Sequence, residues 1–399
     1  MYYLFIFIIL FVLTIIQIVV RWNKYSNHTI FYILFLIFWF TAGLRYETGI
    51  DWNTYTVNFA KTIPINIVLS NGFNFGEGMF LELSYGLICS FVKYLGGSIQ
   101  SVFFIMAFIS SFFLFKSIQI YSCNKSFSLL IYFCFAYLIL DMTGMRQAVA
   151  LNIFFYSLQF IVNKNLSKYL LFICFATTFH LSAVIFLPLY FISDMKISNK
   201  VMYITVGIGL LIFLFNIGFL NPLLKTVTYF FSKISVISSK ILLYTTNPLL
   251  NRHRPFSLEM IIYLIFFILI TYNRNKITEN DKFLNLCLNF VWIHLLLCFF
   301  IYEYYEVSMR MAIPFIIGYV ILLPKMLLTL KLSTNKFVMT IFICLLCFAP
   351  KRGIFLETKD GLPYNPYQNY WYYKVLKKDS TGAMRLEQYR LNMKKNRDK

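Results

Sequence analysis

The chain has 399 residues, of which 59% are hydrophobic and 13% charged, and it carries a formal net charge of +20. So small a polar fraction excludes a soluble globular domain, because a soluble surface needs more polar residues to cover it. The basic excess comes without any RNA- or DNA-binding motif, so it reads as loops holding the cytoplasmic face and contacting anionic lipid head groups, with no nucleic acid as partner.

In chain order, apolar runs of the length that crosses a bilayer as a helix, ~20 residues, fall at 2–20, 29–44, 99–120, 127–144, 147–163, 200–219, 257–272, 283–301, 311–330 and 336–349. They are continuous and not alternating, which excludes a β-barrel. The first run has no basic n-region and no small-residue cleavage site, and reads as a retained span. The segment 167–192, "SKYLLFICFATTFHLSAVIFLPLYFI", is either one long tilted span or a re-entrant hairpin broken at "TTFHLS" with His180 at its tip. The expectation is an all-α polytopic integral membrane protein of about 11–12 transmembrane helices. One transmembrane domain covers 1–349, with outer loops at 45–98 and 220–256, followed by a basic C-terminal tail at 350–399.

The short connectors "RWNK", "NKNLSK", "NRNK" and "KLSTNK" are basic and belong in the cytoplasm by the positive-inside rule. The second run then travels outward and delivers "LRYETGIDWNTY" (44–55) to the outer surface. Within the loop that follows, Glu82 and Lys93 make 79–95 a poor spanner, and it is expected to lie flat as an interfacial helix. On the hairpin count the tail is also outer, but its twelve Lys and Arg from Lys351 onward argue for the cytoplasm.

Charged groups at membrane boundaries are costly and default to function. They are few: Arg45, Glu47 and Asp51; Asp141, Arg146 and Gln147; His180; Arg252, His253 and Arg254; and Glu303, Glu306 and Arg310. An Arg fork suits bidentate binding of phosphate oxygens, so arginines converging on one face would hold a pyrophosphate. Taken singly, each also fits snorkelling to head groups or a local ion pair such as Arg45 with Asp51. The eight cysteines lie mostly in apolar runs, and no metal site, P-loop or Ser-His-Asp order is visible.

The string "GLRYETGIDWNTY" resembles the R-Y-x-x-G-x-D-x-x-Y signature of the EpsG family of Wzy-type polymerases. "FNFGEGMFLELSYGLICSFVKYLGGSIQSVF" resembles the family's E-x-G-[YF] segment, "MTGMRQAVALNIFFYSL" its G-x-R-Q-A-x-A signature, and "TFHLSAVIFLPLYF" its F-H-x-S-A-x-x-x-x-P motif. Beyond residue 200 the likeness thins to Arg310 and "YNPYQNYW". Where the family often has Tyr-x-x-Tyr after the aspartate, Asp51 is followed by a single tyrosine, Tyr55.

The resemblance implies a GT-C-like, metal-independent glycosyltransferase of the bacterial inner membrane without a cofactor. It would join undecaprenyl-pyrophosphate-linked oligosaccharides of O-antigen, capsule or exopolysaccharide on the outer face, beside a chain-length regulator and a flippase. Carried over by motif, Arg45 and Arg146, with Arg310 a third, would clamp the pyrophosphate, and Gln147 and Tyr55 would line the substrate. The base for the acceptor hydroxyl would be Asp51, Glu47 or His180. An O-antigen ligase, or a flippase for the same lipid-linked oligosaccharide, is the alternative reading.

Overall fold

The computed structural model describes residues 1–19, 24–76, 81–230, 252–278 and 281–395, and the described residues are mostly helical, joined by turns and loops, with one isolated antiparallel bridge and no strand. Most of the long loop expected at 220–256, including the asparagine of "NRHRP", lies outside them, as does most of the connector "RWNK". The chain forms two compact units, 1–193 with 330–399, and 194–329.

In the first unit the helices are α1 (Tyr2–Val19), α2 (Lys24–Gly43), α3 (Trp52–Lys61), α4 (Ile65–Ser70), α5 (Leu83–Tyr94), α6 (Ile99–Tyr121), α7 (Lys125–Tyr132), α8 (Met145–Val162), α9 (Leu166–Phe179) and α10 (Leu189–Ile192). The second unit holds α11 (Asn199–Leu214), α12 (Leu220–Phe230), α13 (Leu258–Tyr272), α14 (Arg274–Thr278), α15 (Lys282–Phe300), α16 (Tyr305–Ala312) and α17 (Ile317–Leu328). The chain then returns to the first unit as α18 (Ser333–Phe348), α19 (Arg352–Phe355) and α20 (Gly382–Lys395).

Among the described residues six stretches are long and apolar enough to cross a membrane: α1, α6, α8, α15, 305–328 and 333–355. Shorter apolar helices of 10–17 residues include 28–43, 166–179, 199–214 and 258–272. The protein is therefore an all-α polytopic membrane protein. Apolar all-round helices such as α1 and α6 satisfy every internal backbone group within themselves, as a bilayer demands.

The run expected at 127–144 stops early. Helix α7 loosens into a π-turn at Phe133–Tyr137 and gives way to turns across 138–144, where Asp141 and Gly144 sit. Insertions of this kind recur at functional sites because they free backbone groups and re-aim side chains. Segment 167–192 folds back on itself. Helix α9 ends at Phe179, and the Tyr169 hydroxyl donates to the Phe186 carbonyl at 2.6 Å while the Tyr169 and Tyr190 rings lie 5.6 Å apart. The two arms run side by side with His180 at the bend. Alone, α9 spans only ~21 Å at 1.5 Å per residue; of the two expected forms the segment takes the hairpin, and it packs against α8. Helix α5 is shorter still, about 18 Å, against a hydrocarbon core of ~30 Å.

In the first unit α8 is the central element, packed between α6 and α9, with α2 on the far side of α6. In the second, α17 packs on α15 with Gly318 at the contact: a Cβ there would stand 2.5 Å from the Cys287 carbonyl oxygen, so only glycine permits the approach.

Candidate functional site

The site is built at one end of the first unit, where α2, α7 and α9 finish and α8 begins. Leaving α2, the chain places Arg45 inside: its side chain is among the largest fully buried ones, at 1% exposure. Its Nη1 donates to the carbonyls of Ala42 at 2.8 Å and Asp141 at 2.9 Å, and the guanidinium lies 4.4 Å from the centre of the Phe103 ring. Burial pushes Arg45 below its ordinary value, and nearby tyrosines and Asp141 oppose that shift. A desolvated cation persists only when hydrogen-bonded, and here the partners are backbone carbonyls and an aromatic face.

Those bonds join the end of α2 to the turn carrying Asp141. The Asp141 carboxylate is itself buried and accepts from Ser110 Oγ at 2.5 Å and the Tyr132 hydroxyl at 2.9 Å. Asn152 donates to both of those hydroxyl oxygens at 2.9 Å, so the cluster pins α6, α7 and α8 together. The glycine of the signature string has a steric cause. Gly49 sits at φ +99°, and a Cβ on it would run into the Met142 carbonyl oxygen.

The second cluster gathers three segments remote in sequence. Glu82 stands immediately before α5; one of its carboxylate oxygens accepts from Arg146 Nη1, and the other lies 3.1 Å from His180 Nδ1. The three side chains are 10% (Glu82), 24% (Arg146) and 18% (His180) exposed, so the cluster is shielded yet reachable. Ser84 and Thr178 hydroxyls meet at 2.6 Å and fasten the start of α5 to the hairpin tip. Burial alone would raise Glu82, but the His180 hydrogen bond and the Arg146 charge outweigh it and hold its carboxyl below the usual range. Arg146 also lies 5.7 Å from the Tyr55 ring centre and 5.3 Å from that of Tyr85, and its Nε finds no acceptor among the described residues.

The two clusters adjoin through aromatic rings. Phe103, under Arg45, is 6.2 Å from Tyr55, and Tyr55 is 6.0 Å from Tyr85, under Arg146. Of the residues singled out in the sequence, Arg45, Tyr55, Arg146 and His180 therefore meet in one place. Asp51 is half-buried at the N-terminus of α3, one turn from Tyr55, and Gln147 is buried beside Arg146 on α8. Glu47 is turned toward the C-terminal segment and accepts from Ser380 Oγ at 2.5 Å. Arg310 is exposed on α16 of the second unit. There Glu303 accepts from the backbone N–H groups of Phe219, Leu220 and Asn221 at 2.7–3.2 Å, while Arg254 donates to Ser308 at 3.0 Å.

Glu82 was not among the site residues the sequence suggested; there it counted only as a residue that weakens a span. The signal was present, since a carboxylate between Leu81 and Leu83 must find a partner if its segment packs. Among the described residues no three His, Cys, Asp or Glu side chains converge as a metal site would require.

The EpsG family model matches residues 28–369, which takes in Arg45, Tyr55, Glu82, Arg146 and His180. Neither the curated proteins nor the solved structures gave a match.

Proposed function

The chain belongs to the EpsG family, which includes Wzy-like polymerases, and from that membership and the geometry above we propose that it is a polysaccharide polymerase. It joins oligosaccharide repeat units carried on undecaprenyl pyrophosphate, on the outer face of the bacterial inner membrane. The acceptor hydroxyl oxygen forms a bond to the anomeric carbon of the donor glycan. The bond from that carbon to the pyrophosphate oxygen breaks, the pyrophosphate leaves with the electron pair, and the hydroxyl proton passes to a base.

The observation that carries this reading is the Arg146–Glu82–His180 cluster. Arg146 offers a partly exposed guanidinium, suited to the oxygens of a leaving pyrophosphate where negative charge develops. Glu82 bonds the Nδ1 side of His180 and so leaves Nε2 to face an acceptor hydroxyl, the base-and-orienter arrangement of general-base sites. Among the three base candidates, Asp51, Glu47 and His180, this geometry favours His180. Arg45, enclosed by carbonyls, acts by fixing the turn that leads into Arg146. Tyr55 and Gln147 line the donor side, and Arg310, on the second unit, is a candidate pyrophosphate ligand by motif alone.

The experiment is to delete the gene and run the host's surface polysaccharide on a gel. Loss of a polymerase leaves single-unit chains attached, whereas loss of a ligase leaves none. An unchanged ladder refutes both readings.

A further inference from the structure

The C-terminal segment, basic and extending past the family match, folds onto the signature loop. Tyr46 N donates to the Gln368 carbonyl and Tyr370 N to the Leu44 carbonyl, each at 2.8 Å, making an antiparallel bridge between Arg45 and Asn369. The Tyr367 hydroxyl donates to the Thr41 carbonyl at 3.0 Å, and the Tyr364 and Thr143 hydroxyls are 2.9 Å apart. Past this bridge, helix α20 brings Arg385 back underneath it.

Arg385 is 3% exposed and faces no carboxylate at hydrogen-bonding distance in the described chain. Its Nη1 donates to the carbonyls of Pro366 at 2.8 Å and Pro363 at 3.2 Å. Its Nη2 donates to Gln368 Oε1 at 2.6 Å and to the Glu47 backbone carbonyl at 3.1 Å. One planar fork thus ties the segment 363–368 to residue 47, a job that a lysine ammonium on a flexible stem does not reproduce. Ser380 holds the Glu47 side chain from the same segment, and Gly382 leaves no room for a Cβ beside Glu47.

We propose that Arg385 is a positioning residue that latches the C-terminal segment onto the Leu44–Asp51 loop, so that this segment lies on the same side of the membrane as the loop. Through the loop it holds Arg45 and the turn leading into Arg146. The positive-inside rule counts the segment's twelve Lys and Arg against the outer face, but the bridge and the latch fix it to the loop on whichever side the loop lies. The link to glycan extension rests on the polymerase reading; the latch and its sidedness do not.

The test uses the full chain in cells, with the exposed Cys123 and Cys174 replaced by serine and one cysteine added at a time. A membrane-impermeant maleimide should treat Met384→Cys and Asn53→Cys alike, both labelled in intact cells or both only after permeabilisation. Opposite behaviour overturns the proposal whatever the protein's activity. Thr48 and Thr340 are both fully buried in this unit. With Arg385→Ala, Thr48→Cys should become labelled while Thr340→Cys stays protected, and the polysaccharide ladder should shorten; Arg385→Lys should restore little of it. Protection of Thr48→Cys, exposure of both cysteines together, or a full-length ladder in Arg385→Ala each overturns the positioning role. If labelling behaves as expected but deleting the gene leaves the polysaccharide unchanged, the latch stands and the polymerase reading falls.

Discussion

Replacing Glu82 with glutamine removes one charge and hardly alters shape. The carboxylate accepts from Arg146 on one oxygen and from His180 on the other. The amide keeps one acceptor for Arg146 and turns the second into a donor, so His180 Nδ1 must accept in place of donating and its proton moves to Nε2, the wrong tautomer for a base. A hydrogen bond to a charged group contributes about 1.5–3 kcal/mol and a neutral one about 1 kcal/mol. For side chains 10–24% exposed the net loss is about 2–3 kcal/mol. Against a native stability of roughly 5–15 kcal/mol, the chain still folds.

Glu82 titrates below its ordinary 4.5 in the folded protein, so its stabilisation is present above that value and is lost as pH falls through the folded pKa. The gap between wild type and Glu82→Gln should therefore be full at neutral pH and close as pH drops below 4.5. Thermal unfolding of the detergent-solubilised protein across that range measures it. Glycan extension should fall about 100-fold, within the range for a misoriented base, while the amount of protein in the membrane holds. Equal unfolding midpoints at pH 7, or a normal ladder, would refute the assignment of Glu82 as the bridge.

Three further substitutions separate structural from chemical roles. Arg146→Lys keeps a cation for Glu82 but loses the fork, and should cut chain extension about 100-fold at unchanged protein level; a normal ladder on a polysaccharide gel contradicts this. Arg45→Ala leaves the Ala42 and Asp141 carbonyls without their donor and opens a cavity, a loss on the order of 3–5 kcal/mol. Immunoblotting should show less protein in the membrane, unlike Arg146→Lys. Gly49→Ala forces a left-handed φ on alanine and pushes its Cβ into the Met142 carbonyl, so a stability loss of roughly 2–4 kcal/mol, read as a lower unfolding midpoint, is expected.

The spans were legible because hydropathy and length depend only on neighbours in sequence: the run at 99–120 is α6 and that at 283–301 is α15, each within a residue or so. His180 at a helix break was legible too, since a polar string inside an apolar run has to bend or be buried. Which of the two happened was not, because it depends on Tyr169 reaching Phe186. Glu82 escaped notice for the same reason: Arg146 is 64 residues away and His180 is 98. The fold of the basic tail onto residues 44–47 was not legible either, because charge counting weighs each Arg as a solvated ion, whereas Arg385 is enclosed by four oxygen acceptors.

The bridge between Arg45 and Asn369 also sets an order of assembly. The Tyr46 amide and the Leu44 carbonyl receive their partners from residues made some 320 positions later, beyond the last long apolar stretch at 333–355. Until then the signature loop has an unpaired edge, and Glu47 lacks Ser380. Closing so distant a contact comes late in folding, since its loop entropy must be met first. A chain cut before Gln368 can therefore insert its spans but leaves the Leu44–Asp51 loop without these partners.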